Sequence, residues 1–433
     1  ECPMTCVTQV RLSGSLDRAA FSEAFRDVLR KHPLLNATVA RSRRGSPCWM
    51  PTDERSAEVE WNATGDGDVV RVTDRINLES EVGMRFRVRQ DSNGAVATMF
   101  FHHACSDGIG AARFFEDLLI GYHARLEGGS PQAPDVSQLP LRGQVPRIGR
   151  FPARLANEMR TLVCEGRQWL FHPVTPLGCR DRQPLAASDE SLEDVPTHAY
   201  DAAVLSQLLA VARSRGVTLN DVLLAALFRT ADQWNDRYPP SRQTPWFRIA
   251  VPQNLRVAAD RWMPAANKVT MCFMTRARSA CDRSDVLLKG IGSEMAAAKH
   301  WLRGKGLLRA MRLAQAIPWL RHVFLASDPC LATVVLSNLG DYGRWFCDSL
   351  PRDGAFTRAG NLRVESILSL PPVRPNTHAA FCAASYGGIF RISLRRDPRC
   401  LSRADALELL ALYVSQIARL LQECPCRADV RAS

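Results

Sequence analysis

Two adjacent histidines followed by an Asp-Gly pair are the residues best suited to chemistry in this sequence. The segment reads FFHHACSDGIG from residue 100 to residue 110 and contains His102, His103, Asp107 and Gly108. A neutral imidazole can accept a proton from a hydroxyl or an amine near neutral pH. An aspartate here can cap a following helix, and a glycine leaves room for an approaching group. The segment therefore predicts a general base at the junction of a strand and a helix.

Three alternative interpretations use the same residues. Side chains alternate between the two faces of a strand, so the rings of His102 and His103 are expected to point apart, which disfavours a shared metal ion. Cys105 lies beside a histidine and could act as a nucleophile, but no basic residue adjoins it to activate it. A histidine at a strand end can also be an ordinary hydrogen-bonded residue without a role in chemistry.

The elements that must position these residues follow from hydrophobic periodicity. A helix is predicted over 15–31, capped by Ser15 or Asp17 and stopped at His32-Pro33. Further helices are expected at 108–126, 201–216, 218–234 and 402–421, and strands at 34–40, 82–89, 94–103, 246–252, 268–275, 331–337, 363–370, 379–386 and 389–395. The order shows no regular βαβ repeat, which favours an α/β protein with mixed or antiparallel sheets covered by helices, in α+β layers.

The length and composition indicate two lobes. A chain of 433 residues exceeds one typical core, and 46% hydrophobic residues is ordinary for a globular protein. We predict an N-terminal lobe at 1–185 and a C-terminal lobe at 186–433, divided in a polar stretch. No apolar run reaches the roughly 20 residues that span a bilayer, and the first residues do not resemble a signal peptide. A cytoplasmic location is expected.

The net charge of +12 is concentrated in two segments. Residues 141–182 contain eight arginines against three acids, and residues 299–322 contain six basic residues and no acid. Both segments interleave these charges with apolar residues. This pattern favours contact with an anionic partner, such as a nucleotide-bearing thioester, an acidic carrier protein or a membrane surface. Since the rest is nearly neutral, nucleic acid is not an expected partner; a solvated basic face is the alternative.

The 14 cysteines are scattered along the chain without a CxxC pair. This spacing predicts neither a zinc site nor a disulfide framework, and the expected metal content is none. Reduced cysteines in core positions of a cytoplasmic protein are the expected state.

The segment HHxxxDG resembles the signature of a superfamily of acyltransferases. Its members include chloramphenicol acetyltransferase, the condensation domains of nonribosomal peptide synthetases, plant BAHD acyltransferases, polyketide-associated acyltransferases and wax-ester synthase/diacylglycerol acyltransferases. Further segments are similar to motifs of this superfamily in the same order. They are LRKHPLLNATV at 29–39, TLNDVLLAAL at 218–227, VPQNLR at 251–256, Asn267, TVVLSNLG at 333–340 and SYGGIFRISLRRD at 385–397. The resemblance covers nearly the whole chain, although the BAHD segment DFGWG is absent.

The resemblance implies a fold and roles for individual residues. The fold would be two chloramphenicol-acetyltransferase-like lobes, each a mixed sheet with helices, with a channel between them. His103 would be the general base, and His102 a packed, hydrogen-bonded neighbour. Asp107 would pair with Arg256 to hold the loop, and Gly108 would leave space for a pantetheine arm. In this superfamily, polar groups that position the acceptor or the oxyanion lie where this chain has Ser337 and Asn338.

The implied activity is transfer of an acyl group from a thioester to a hydroxyl or an amine. The co-substrate would be acyl-CoA or the phosphopantetheine thioester of an acyl carrier protein, with no permanently bound cofactor. The acceptor would be a small or lipid-like molecule, and the protein a monomer with peripheral membrane contact. Two alternatives are a stand-alone condensation-type enzyme that forms amides on carrier-bound substrates, and a catalytically silent binding protein of the same fold.

Overall fold

A computed structural model describes most of the chain. The described residues are 4–43, 45–52, 56–63, 75–128, 135–143, 167, 171–180, 191–301, 330–344, 349–374 and 376–423. Most of the two basic segments predicted to meet an anionic partner lies outside these residues.

The described residues form helices and strands that alternate irregularly. The helices are α1 (Arg18–Lys31), α2 (Gly108–Glu127), α3 (Ala202–Ser214), α4 (Leu219–Arg237), α5 (Ser284–Trp301) and α6 (Arg403–Glu423). The strands are β1 (Thr5–Ser13), β2 (Ala37–Arg41), β3 (Pro47–Pro51), β4 (Val59–Ala63), β5 (Met84–Asp91), β6 (Gly94–His102), β7 (Thr197–Tyr200), β8 (Trp246–Asn254), β9 (Val269–Ala277), β10 (Val334–Asp341), β11 (Arg352–Asp353), β12 (Phe356–Ala359), β13 (Leu362–Leu370), β14 (Ala379–Tyr386) and β15 (Ile389–Arg396). Short 3-10 helices are at Val136–Gly143, Leu192–Asp194, Ala258–Asp260, Arg278–Ala280 and Tyr342–Arg344.

The first sheet combines strands from both halves of the chain. Its order is β11-β12-β13-β1-β6-β5-β4 in the part of the chain described. Strand β1 lies in the middle, antiparallel to β6 on one side and to β13 on the other. Helices α1 and α2 contribute buried apolar side chains to the core on this sheet, and this is the sheet whose strand β6 ends at the two histidines.

The second sheet is mixed. Its order is β7-β15-β14-β10-β8-β9, with β10 parallel to both β14 and β8. Helices α3 to α6 bury apolar side chains in the same core as this sheet. The described residues thus form two lobes, each a sheet packed with helices, as the sequence predicted.

Helix starts follow the polar residues recognised in the sequence. Asp17 caps α1 by accepting a hydrogen bond from Ala20 N at 2.9 Å. Asp221 Oδ2 accepts from the backbone nitrogen of Thr218 at 2.8 Å, which fixes the first turn of α4.

A loop from the second sheet enters the core of the first lobe. We call residues 255–268, between β8 and β9, the crossing loop. Its side chains Met263, Ala265 and Ala266 are buried in the same apolar cluster as α1, α2 and β6. The loop therefore joins the lobes directly beside the start of α2.

The strand pairing also qualifies the predicted lobe limits. The change from one lobe to the other at residues 185 and 186 stays a prediction, because residues 181–190 lie outside the described part. The first sheet additionally takes β11, β12 and β13 from the second half of the sequence. In the described chain, no helix combines the length and apolar character needed to cross a membrane.

Candidate active site

His103 lies in the turn directly after β6. The strand ends at His102, one residue earlier than predicted, and Cys105 N closes the turn by donating to His102 O at 2.9 Å. The backbone nitrogen of His103 donates to Met4 O at 2.7 Å, which ties the turn to the start of β1. Residue His103 as a whole is only partly buried.

A backbone carbonyl determines which nitrogen of His103 carries the proton. Nδ1 lies 3.0 Å from Ser106 O, and a carbonyl oxygen can only accept a hydrogen bond. Nδ1 is therefore the protonated nitrogen of the neutral ring, and Nε2 keeps its lone pair. Asn267 Nδ2 donates to His103 O at 2.8 Å and lies farther from Nδ1, at 3.4 Å. The arrangement presents an unprotonated Nε2 for proton abstraction.

His102 has a structural hydrogen bond. Its Nδ1 accepts from Ala104 N at 3.1 Å. Burial lowers the pKa of His102 below its usual value, and the neighbouring imidazole of His103 adds to this shift. His102 is consequently neutral at physiological pH.

Asp107 joins α2 to the crossing loop. One carboxylate oxygen caps the helix by accepting from Gly110 N at 2.8 Å. The other accepts from Arg256 Nη1 and from Lys268 N, both at 2.8 Å. The side chain of Asp107 is almost fully buried, so these donors replace the water that a charged carboxylate would otherwise require.

Arg256 is the other half of the pair expected from the resemblance. Its Nη2 donates to Ala266 O at 2.7 Å, while Nη1 holds Asp107. Both ends of the crossing loop thus contact the start of α2. The Asp107–Arg256 pair contacts the first turn of α2 and the backbone of the crossing loop. These contacts hold the helix start against the loop.

A second set of contacts secures the crossing loop at its middle. His32 is fully buried, accepts from Ala265 N at 2.8 Å and lies 3.1 Å from Asp117 in α2. Burial lowers the pKa of His32. Lys268 and Asp260 form a buried ion pair within the loop at 2.7 Å.

Gly108 faces the second lobe. A Cβ added at Gly108 would lie 2.8 Å from Leu339 Cδ2 in β10, so a leucine side chain takes the adjacent space in this structure. Ser337 and Asn338 precede that leucine and lie in the middle of the same strand. Ser337 is largely buried, and Asn338 Oδ1 accepts from Gly340 N at 3.0 Å. The contact brings this part of β10 to the start of α2.

The nucleophile alternative for Cys105 does not fit its surroundings. Its side chain is fully buried, and burial raises the pKa of the thiol to about 12. The thiolate, which is the nucleophilic form, is therefore scarce at neutral pH. Cys105 is a core residue beneath the turn.

Several residues of this site were not recognised as site residues in the sequence. The carbonyl of Ser106, the amide of Asn267, the backbone nitrogen of Lys268 and the side chain of Leu339 all contact the histidine turn or the helix start. Of these, Asn267 was matched to a superfamily position in the sequence, but without a role at the site. The backbone groups carry no signal in residue type.

Comparison with known proteins supports the resemblance found in the sequence. The family model of the condensation domain matches residues 5–139. The first condensation domain of the CDA synthetase superposes with a TM-score of 0.72 at 14% identity, covering 98% of this chain and 92% of that one. The chain has a condensation-domain fold. The fold expected from the resemblance is thereby confirmed, and the family model supports the resemblance over residues 5–139.

Two further solved structures share this fold, and one of them is a complex with thioesters. A starter condensation domain of rhizomide synthetase, crystallised with C8-CoA and Leu-SNAC, superposes with a TM-score of 0.67 at 14% identity over 98% of this chain and 90% of its own. The SgcC5 protein of Streptomyces globisporus gives the same score at 16% identity, covering 98% and 93%.

Sequence relatives are of two kinds. The "Probable non-canonical nonribosomal peptide synthetase (NRPS) CymA" of Salinispora arenicola is 28% identical over 233 residues. That match covers 50% of this chain and only 3% of the synthetase, so the chain corresponds to a small part of it. An uncharacterized protein of Mycobacterium tuberculosis is 25% identical over 432 residues, covering 94% of this chain and 92% of its own length. This second relative is thus close to the chain in length, whereas the synthetase is far longer.

Proposed function

We propose that this protein transfers an acyl group from a thioester to a hydroxyl or an amine, with His103 as the general base. The observation that carries the proposal is the protonated Nδ1 held by Ser106 O, which leaves Nε2 as a base on a residue that is only partly buried. Nε2 would remove the proton of the acceptor as its oxygen or nitrogen attacks the thioester carbonyl. The C–S bond breaks and the sulfur leaves as a thiolate, which takes the proton from the imidazolium to become the free thiol.

The remaining barrier must be lowered by positioning and by polar groups at the carbonyl oxygen. Ser337 and Asn338 are proposed for this role, since this part of β10 meets the start of α2 near the histidine turn. Asp107 and Arg256 hold this start of α2 against the crossing loop. A passage between the lobes would admit donor and acceptor from opposite sides.

The donor is proposed to be acyl-CoA or an acylated carrier protein. The rhizomide starter domain bound to C8-CoA and Leu-SNAC supports a CoA thioester for this fold. The basic segments 141–182 and 299–322 suit the phosphates of CoA, an acidic carrier or an anionic membrane surface. A lipid-like acceptor, peripheral membrane contact, a cytoplasmic location and a monomeric state are parts of the same proposal.

The test compares two histidine variants of the whole chain. A panel of short-chain and long-chain acyl-CoAs is offered with hydroxyl and amine acceptors, and release of free CoA thiol is measured. His103→Ala should lower kcat about 10²–10⁴-fold, which is the usual contribution of a general base. His198→Ala is the matched control, because His198 lies on the edge strand β7 of the other sheet.

The circular dichroism spectrum of both variants should match that of the wild type. Turnover of His103→Ala within a few-fold of the wild type would show that another group is the base. Failure of every thioester in the panel with the wild type would favour the silent binding protein.

Amide formation on carrier-bound substrates is the second candidate. It is favoured by the superposition on the first condensation domain of the calcium-dependent antibiotic synthetase in complex with a substrate analogue. In that case the chain should bind a phosphopantetheinylated carrier protein more tightly than the apo carrier. Equal binding of both forms, combined with turnover of free acyl-CoA, would exclude this candidate.

A further inference from the structure

Three metal-ligating side chains from distant parts of the sequence meet in the second lobe. Cys179 lies in the extended segment 172–180, His378 directly precedes β14, and Cys400 lies in the turn between β15 and α6. One ligand atom from each lies within 4.8 Å of the other two. The cluster is formed by different residues from those around His103.

One separation in the cluster is close to that of two ligands on a tetrahedral metal ion. Zinc bonds to sulfur at about 2.3 Å and to imidazole nitrogen at about 2.0–2.1 Å, so neighbouring ligand atoms are about 3.5–3.8 Å apart. Cys179 Sγ and His378 Nδ1 lie 3.3 Å apart. A shift of a few tenths of an ångström would bring this pair to the separation that zinc requires.

Backbone contacts hold two of the three ligands in place. Asp397 N donates to His378 O at 2.8 Å, and Cys400 N donates to Asp397 O at 3.0 Å. His378 and Cys400 are therefore fixed to one turn, and both are buried. Cys179 is only partly buried, which gives an ion a route from solvent to the two buried ligands.

We propose that Cys179, His378 and Cys400 form a zinc site, with water as the fourth ligand. Two thiolates and one imidazole form a ligand set that binds zinc in preference to magnesium or calcium. Binding releases one proton from each thiol to solvent. The imidazole stays neutral: the hydrogen bond from His378 Nδ1 to Leu177 O at 2.8 Å would be broken, the proton of Nδ1 would move to Nε2, and Nδ1 would bond to the metal.

The proposed ion would join three segments of the second lobe. Segment 172–180, the position directly before β14 and the turn between β15 and α6 contribute one ligand each. An ion that binds the folded chain and not the unfolded one stabilises it in proportion to the logarithm of its concentration. The site is thus proposed to be structural, and it does not depend on the acyl transfer proposed above.

The experiment uses the whole chain. Bound metal is first removed with a chelator in the presence of a reductant, and the protein is then dialysed against a slight molar excess of ZnCl₂. Bound zinc is measured by elemental analysis, and Co²⁺ is used as a second probe because thiolate ligands give it a charge-transfer absorption. The wild type should bind one equivalent of zinc. Cys400→Ser and His378→Gln should each weaken zinc binding about 100-fold or more, whereas the exposed-cysteine control Cys48→Ser should not change it.

A second readout covers the case in which a variant fails to fold. In the wild-type protein, zinc should slow the alkylation of Cys179 and Cys400 by iodoacetamide, as followed by peptide mass spectrometry, and leave that of Cys48 unchanged. The proposal is overturned if zinc binds equally to Cys400→Ser, or if alkylation of the two cysteines is not slowed. A disulfide between Cys179 and Cys400 in the reduced, zinc-treated protein would also overturn it.

Discussion

Asp107 shows how much of the site depends on one side chain. Its two oxygens serve three donors: the helix nitrogen of Gly110, the guanidinium of Arg256 and the backbone nitrogen of Lys268. Gly110 belongs to α2, whereas Arg256 and Lys268 lie near the two ends of the crossing loop, so the carboxylate joins the start of α2 to both ends of this loop. His103 is positioned indirectly, because its turn leads into this helix start.

The substitution Asp107→Asn separates the two roles of this side chain. The amide oxygen of the new side chain can still cap α2, but its NH₂ group would face the donors of Arg256 and Lys268 and leave Arg256 buried without a counter-charge. We expect a loss of about 3–5 kcal/mol in the free energy of unfolding, measured by urea denaturation.

A surface pair provides the control for that substitution. Arg30 pairs with Asp27 while its side chain is 80% exposed, so Arg30→Gln should cost less than about 1 kcal/mol. Equal costs for the two substitutions would mean that the Asp107–Arg256 pair does not act as a buried pair.

Glu116 in α2 gives the first lobe a pH dependence. Burial raises its pKa to about 7 although Arg113 Nη1 lies 2.9 Å away, since the loss of water outweighs this charge. The folded state therefore binds more protons than the unfolded state between about pH 4.5 and pH 7, and stability falls as the pH rises through this window.

Glu116→Gln should remove this dependence. Urea denaturation gives the free energy of unfolding at pH 5 and at pH 8. Between these two pH values it should fall by roughly 2–4 kcal/mol more in the wild type than in the variant. Glu79→Gln, at an exposed position, should keep the wild-type slope. An unchanged slope in Glu116→Gln would contradict the assignment.

At the scale of single residues, the sequence predicted the side chains better than their partners. The histidine pair, Asp107 and Arg256 were found because HHxxxDG and the arginine segment specify side chains. The hydrogen bond from His103 to Ser106 O and that from Lys268 to Asp107 were missed, because backbone groups are identical in every residue. The Cys179–His378–Cys400 cluster was missed because the prediction of no metal rested on short cysteine spacings.

At the scale of elements, helix α2 is fitted closely to the crossing loop. A Cβ at Gly110 would lie 2.3 Å from Ser106 Oγ and 3.0 Å from backbone atoms of Ala266. At Gly121, in the same helix, the nearest atoms would lie 3.6 Å away, which is an ordinary contact. The first glycine is needed for the approach of the loop, and the second is not.

This difference can be measured with matched alanine substitutions. Alanine is favoured over glycine within helices by about 1 kcal/mol, so Gly121→Ala should stabilise the protein slightly. Gly110→Ala should instead destabilise it by about 1–3 kcal/mol, because the added methyl group forces α2 and the loop apart. Thermal unfolding of both variants tests this, and a stabilised Gly110→Ala would show that the loop does not press on the helix.

Periodicity predicted five of the six described helices and nine of the fifteen described strands, but it left out α5, the short strands β3, β4, β7, β11 and β12, and the nine-residue strand β1. That strand, TCVTQVRLS, mixes polar and apolar residues and lies at the start of the chain. The pairing of β1 with β13, more than 350 residues later in the sequence, could not be derived from local pattern. Long-range pairing depends on the order of strands in the sheet. The resemblance predicted two lobes but not this order.

At the scale of the whole molecule, the two lobes are connected at several points. The first sheet needs β13, and the first core needs Met263, Ala265 and Ala266 of the crossing loop. Arg395, in β15 of the second sheet, donates to Thr5 O at the start of β1. The first lobe is therefore incomplete without residues from the second half of the chain.

A fragment of residues 1–185 should consequently fail to fold alone. It would expose one side of β1 and the apolar surface that the crossing loop covers, so we expect no cooperative thermal transition by circular dichroism. The complete chain is the control and should unfold in a cooperative transition. A cooperative transition of the fragment would show that the first lobe is independent.

The position of β13 also affects synthesis on the ribosome. The partner of β1 on one side ends at residue 102, but its partner on the other side is finished only at residue 370. At usual elongation rates, the growing chain would carry a row of unsatisfied amide and carbonyl groups for roughly 10–50 s. Nascent molecules on one polysome could pair through these rows, so yield should depend on chaperone supply during translation.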